Sequence, residues 1–296
     1  MTAGVSISLF QRAAAAFAAS VPADPADDGF FGPRSVTWRV AADLSAPVAG
    51  LRSLLLQALH PLAMAGVDQH SDWRADPGAR FASTAAYVVA TTYGDTATAR
   101  AAAARVRKIH DTVHGTDTVT GLPYDANDPA LLLWVHAALV DSGLAACRLY
   151  GAPLSPAEAD RYVAEMTAAA ELIGVPAGMA PSSVAELDAY LTEVRPSLTS
   201  SASTADTARY LLGMPDVEPE LADVWEVLAA ASAVSLPGWA RELHGFGDVV
   251  PPEREPVRQV LGVLDAVYLG EPGVLEARQR LTLRMRASEA PAPESR

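Results

Sequence analysis

Six histidines occur in the chain, and four of them fall between positions 60 and 114: His60, His70, His110 and His114. His110 and His114 sit four residues apart in RKIHDTVHG. On a helix expected over residues 96–114 that spacing puts them on one face. Val106, Ile109 and Val113 form the apolar stripe of that helix, with Ala103 beside it, so His110 is expected at the margin of the stripe, facing partly inward. Residues 101–104 are all alanine and leave room for a neighbouring helix or a flat ring. Three chemistries fit the pair. A zinc hydrolase uses the same histidine spacing but needs a glutamate after the first histidine; Asp111 stands there and reaches less far towards a catalytic water. An iron can be held by one neutral imidazole whose second nitrogen is fixed by a carbonyl or carboxylate. Or both side chains are half-buried polar groups with ordinary hydrogen-bond partners.

A second set lies on the helix expected from Asp76-Pro77 to about Tyr93. Arg80, Thr84, Tyr87 and Thr91 recur at helical spacing and make one polar face, opposite Phe81, Ala85, Val88 and Val89. That face is either solvated or lines a pocket, where a cation and a hydroxyl would stabilise dioxygen or a developing anion. His136 lies in the apolar run LLLWVHAALV and reads as a core histidine with its hydrogen bonds made. His60 precedes Pro61, which frees a backbone carbonyl at a helix break. His244 carries no pattern. There is no glycine-rich phosphate loop, no G-x-S-x-G elbow and no C-x-x-C.

The elements that must position these residues are helical. Alanine-rich runs with only 6% aromatic residues favour helix over strand. Helices are expected over residues 51–67 with a kink at Pro61, 77–93, 96–114, 129–150 and 156–172. Shorter ones follow over 183–193, 204–212, 218–234, 256–268 and 274–287. Asp128-Pro129 and Ser155-Pro156 with Glu158 are helix starts, the second a capping box. Residues 35–40 read as a short extended piece and 115–127 as a loop. The expected organisation is an N-terminal arm over residues 1–30, one all-α multi-helix globular domain over 31–287, and a disordered tail over 288–296.

With 296 residues and 50% hydrophobic content, the chain can bury a sizeable core. Its 22 basic against 35 acidic residues give a formal charge of −13, without the basic surplus that a nucleic-acid partner demands. Lys108 is the only lysine, and Cys147 the only cysteine, so no intramolecular disulfide and no cysteine-based zinc site can form. No uninterrupted apolar run of spanning length occurs, and the start lacks the basic region of a secretory signal. A cytoplasmic protein is expected.

The succession FGPRSVTWRV (31–40), LLLQALHPLAMAGVDQHS (54–71), RFAST (80–84), RKIHDTVHG (107–115) and YDANDPALLLWVHAALVDS (124–142) resembles the MpaB-type oxygenases, which share their catalytic domain with the latex-clearing rubber oxygenases. The likeness is densest over residues 31–170 and continues through LPGWAREL (236–243). It implies an all-α fold with a buried haem-type pocket, haem b as cofactor, and dioxygen with a small apolar, isoprenoid substrate as partners. His110 then matches the proximal iron ligand, and Arg80 with Thr84 the polar pair on the other side of the haem. Arg107 falls where a basic residue reaches a propionate, and His114 where relatives often carry arginine in that role. Ser83 stands where some latex-clearing enzymes have an iron-ligating lysine. No glutamate precedes Glu158, so the base those enzymes place upstream of the arginine is missing. Both departures point away from polyisoprene cleavage. A non-catalytic haem sensor or carrier, and an apo helical ligand-binding domain, are the alternative readings.

Overall fold

The computed structural model describes residues 9–71, 77–213, 217, 219–247, 250 and 252–289. Among them are fourteen α-helices and one small hairpin. In chain order the helices are α1 (Leu9–Ser20), α2 (Val36–Ala41), α3 (Ala46–Gln57), α4 (Pro61–His70), α5 (Pro77–Tyr93) and α6 (Thr96–His110). Strands β1 (His114–Thr116) and β2 (Pro123–Asp125) follow. Then come α7 (Pro129–Leu149), α8 (Pro156–Ile173), α9 (Val184–Val194), α10 (Ala202–Gly213), α11 (Ala222–Val234), α12 (Gly238–His244), α13 (Arg254–Gly270) and α14 (Val274–Glu289). The all-α class expected from composition is the class observed.

Helix α7 is the axis of the fold. Asp128 caps its start by accepting from the Ala130 amide at 2.8 Å, and Pro129 occupies the first turn, where no intrahelical donor is lost. The helix is long and apolar enough to cross a membrane, yet 72% of its most apolar window is buried inside the protein, as befits a core helix. It packs chiefly on α3, and α8 and α9 close the same core through Tyr162, Val163, Met166, Leu187 and Leu191. The capping box expected at Ser155 and Glu158 forms, and α8 ends at Gly174 with φ +115°. A second core joins Val48, Leu51 and Tyr150 to α11 and α13. A third joins Trp38 and Tyr93 to Val21 and to Ala277 and Leu281 of α14, with Phe17 of α1 against it.

The kink expected at Pro61 is a break between α3 and α4 with a 99° bend. Two carbonyls freed by the bend are satisfied from the segment around α10: Ala58 accepts from the Thr204 hydroxyl at 2.8 Å, and Leu59 from the Thr199 amide at 2.9 Å.

Three local expectations need correction. Residues 36–41 are helix α2 rather than an extended piece, because the Ser35 hydroxyl accepts from the Trp38 amide at 3.1 Å while donating to Gly32 at 2.8 Å. Helix α6 stops at His110, four residues early, and His114 begins a strand paired with β2 in the register His114–Asp125. The segment Thr112-Val113-His114-Gly115-Thr116 is rich in β-branched residues, and the Val113 carbonyl accepts from Ala126 across the hairpin. Gly115 seals the register: a Cβ there would meet Tyr124 Oη at 2.9 Å. Third, α1 packs along α5 and against α14, so residues 9–20 of the expected arm form part of the folded body. Asp76, the expected cap of α5, and the tail from residue 290 lie outside the described residues.

A buried ion pair ties the halves together. The Arg52 guanidinium bonds Asp141 at 2.7 Å, Ser142 Oγ at 2.8 Å and the Ser235 carbonyl at 3.1 Å, joining α3 and α7 to the end of α11. The Arg52 side chain is only 3% exposed. Arg52→Met strands the Asp141 charge and is expected to destabilise the fold by about 3–5 kcal/mol. Urea denaturation of Arg52→Met and of Arg52→Met/Asp141→Leu should show the double variant recovering most of the loss; equal losses in both would refute the pairing account.

Candidate functional site

His110 is the last residue of α6, and the buried haem-type pocket expected beside it is not seen among the described residues: neither of the two cavities found is lined by His110, Arg80 or Thr84. Along α6, Ala99 and Ala103 are buried and Val106 and His110 half-buried, while Ile109 is 54% exposed. The inward stripe therefore runs Ala99–Ala103–Val106–His110, and His110 lies on it rather than at its margin. Asp95 starts this helix by accepting from the Thr98 amide at 2.8 Å. Tyr87 of α5 and Val106 of α6 meet Leu132 and Leu133 of α7 in one apolar cluster. Val135, one turn on from Leu131 and Leu132, is 39% exposed although Leu131 and Ala138 on its face are buried.

Burial pushes the His110 imidazole below its ordinary range, and the Arg80 charge adds to that lowering, against the opposing pull of Asp125 and Asp111. The ring is therefore neutral near pH 7. Its Nδ1 is buried and has no hydrogen-bond partner among the described residues. Arg80 reaches this ring from α5. The Arg80 side chain is exposed, and neighbouring protein lowers its guanidinium from the ordinary value. Tyr87, two turns along α5, is pushed up to about 12 by the same desolvation. Thr84 is exposed, and its hydroxyl donates to the Arg80 carbonyl at 3.1 Å. It presents lone pairs outward and must turn off that bond before it can donate.

The structure thus brings Arg80 to His110, with Thr84 one turn away on the same helix. Arg107 is exposed and lies beside Gly174: a Cβ there would stand 3.5 Å from its Nε and 3.5 Å from Leu132 Cδ1. Its charge sits at the carbonyl end of α8, where a cation is favoured. His114 is exposed on β1 opposite Asp125. Because α6 has ended, His110 and His114 do not share a helix face, and the zinc-hydrolase geometry that needs it is not formed. Among the described residues no three His, Cys, Asp or Glu side chains gather as a metal-binding group. A lone interior imidazole suits an iron whose other ligands come from a macrocycle, so His110 fits a haem in donor type and protonation.

The remaining histidines separate by environment. His244 donates from Nε2 to the Leu55 carbonyl at 3.0 Å and stacks on Phe246. His70 meets Tyr124 Oη at 3.0 Å, which itself donates to Gln69 at 2.9 Å. His60 is buried 6.1 Å from the Trp134 ring; burial lowers it, with Asp128 and Asp117 opposing. His136 is 8% exposed, and burial alone lowers it to about 4. The core placement expected for this histidine is the one observed, and its ring nitrogens are not among the buried polar atoms left without a partner. Asp125 was not singled out in the sequence, where residues 115–127 read as a loop; β2 sets it opposite His114, close enough to His110 for its charge to oppose the lowering of that ring. A separate cavity of about 480 Å³, between the loop of Asp28 and Gly32 and the end of α14 at Ser288, contains none of these residues.

The fold is a helical domain in which the half-buried His110 imidazole lies within the influence of the Arg80 charge. Residues 38–267 match the family described as ER-bound oxygenase mpaB/B'/rubber oxygenase, catalytic domain, and the chain belongs to that family. It is an oxygenase-type enzyme domain. Neither a protein of established function nor a solved structure matches the chain.

Four buried or half-buried histidines, His60, His110, His136 and His244, are all lowered in the folded state. The unfolded chain then binds more protons below pH 6.5, so stability is complete above that value and declines as pH falls towards 4. Carboxylates contribute only lower in the range. Urea unfolding is expected to give a free energy that is flat above about pH 7 and falls steadily below pH 6.5; an unchanged value down to about pH 5 would contradict the buried neutral rings.

Proposed function

We propose that the chain binds haem b through His110 and uses dioxygen to oxidise a small apolar, isoprenoid substrate. The observation that carries this reading is the neutral His110 ring on the inward stripe of α6, with the Arg80 charge set against it from α5. A neutral imidazole offers a lone pair without first losing a proton, which a metal-holding ring requires. The bound haem would supply the redox-active iron at which dioxygen is activated.

The protein's own residues then have distinct tasks. His110 holds the cofactor from the end of α6. Arg80 and Thr84 supply charge and a hydroxyl where negative charge develops during oxidation. Arg107 and His114, on the rim, are suited to the propionates as a guanidinium and an imidazole. Leu131, Leu132, Val135 and Tyr87 offer the apolar contact that orients a hydrocarbon skeleton. Ser83 is exposed beside Thr84, so no lysine closes the iron from this position.

Titration of the purified protein with haemin is expected to give a sharp Soret band at stoichiometric loading. Arg80→Ala and Thr84→Ala should keep that band yet lower oxygen consumption with isoprenoid substrates by about a hundredfold, the usual effect of removing one stabilising donor. Full activity in both variants would overturn their assignment. Haem uptake with no turnover across a broad substrate panel would favour a sensor or carrier.

A further inference from the structure

We infer that Asn127 is a positioning residue for His110: its side-chain NH2 fixes the end of α6, and its buried carbonyl oxygen accepts from the His110 Nδ1–H once Nε2 engages the cofactor. It rests on the haem-binding role just proposed for His110 and names the residue that orients the ring.

Asn127 ties the turn after β2 to the last residues of α6. Its Nδ2 donates to Asp111 Oδ1 at 2.9 Å, and Asp111 is the cap residue that directly follows His110. Its backbone amide donates to Asp125 Oδ1 at 2.8 Å. Around these bonds the Ala126 amide donates to the Val113 carbonyl and the Val113 amide to the His110 carbonyl, both at 2.9 Å. Asp125 and Asp111 are the two carboxylates whose charge reaches the His110 ring, and each carries a bond from Asn127.

Two buried polar atoms here have no hydrogen-bond partner among the described residues, His110 Nδ1 and Asn127 Oδ1. They are complementary in kind. A neutral imidazole can carry its proton on Nδ1 and donate it, whereas an amide oxygen only accepts. The Asn127 amide has one sensible orientation, because turning it over would set Oδ1 against the Asp111 carboxylate, acceptor against acceptor. Leaving either atom unmade inside protein is penalised. With Nδ1 shut inside, Nε2 is the nitrogen left for a cofactor, and a metal-holding imidazole has its other N–H fixed by a carbonyl or carboxylate. Rotation of the His110 ring as Nε2 engages closes the pair. The acceptor is then a neutral amide, which draws the Nδ1 proton less strongly than a carboxylate would.

The test compares the unmodified chain with Asn127→Leu and with the exchanged pair Asp111→Asn/Asn127→Asp. The exchanged pair keeps an amide–carboxylate bond and puts a carboxylate in the acceptor's place. Without haem, nitrogen NMR should show the His110 ring signals displaced in Asn127→Leu and those of His244 unmoved. With haem, Asn127→Leu is expected to bind about ten- to a hundredfold more weakly, the usual loss when a ligand's hydrogen-bond partner is removed, and the exchanged pair should recover most of it. Raman spectra of the reduced, loaded proteins should place the iron–histidine stretch lower in Asn127→Leu and higher in the exchanged pair than in the unmodified chain, since a carboxylate partner makes the ring a stronger donor. A residue that merely held the fold would not raise it. Unchanged His110 ring signals in Asn127→Leu, or the same iron–histidine stretch in all three proteins, would overturn the inference. An unmodified chain that takes up no haem defeats the cofactor assignment alone, and the haem-free ring signals then still decide whether Asn127 positions His110.

Discussion

Keeping an imidazole uncharged inside protein is the constraint on which this structure turns. Water stabilises the imidazolium, so burial lowers the pH at which the ring takes up a proton and a nearby carboxylate raises it. At His110, the inner end of α6, burial prevails, with Arg80 reinforcing it from α5. Asp125 and Asp111 pull the other way, and their effect is the smaller one. The hairpin matters here because its register carries Asp125 opposite His114 rather than onto the His110 ring.

The helices around His110 are fixed by their mutual packing. α5 rests on α1 and α6, and α7 on α3, and the two layers meet through side chains such as Tyr87, Val106, Leu132 and Leu133. The 99° break between α3 and α4 is held by Thr199 and Thr204, and Arg52 locks α3 to α7.

Much of this was legible in the sequence where local rules act alone. Proline placed after Asp128 and Ser155 set the starts of α7 and α8, and the alanine-rich runs set the all-α class. Arg80 and Thr84 on one face followed from helical spacing. What failed were places where tertiary partners outvote local pattern. The Ser35 cap turned an apparent strand into α2, and Tyr124 packed over Gly115 drew residues 114–116 out of α6 into a strand. The expected helix pair His110/His114 dissolved with that change.

The family to which the chain belongs makes it an oxygenase, and the role of His110 is the central claim added to that. The most direct measurement is chemical rescue of His110→Gly. The account predicts that this variant loses the absorption band of the haem-loaded protein and that added imidazole restores it, since the small ring can refill the space the side chain vacated. A His110→Gly protein that binds haem with the unmodified spectrum, before any imidazole is added, would contradict it.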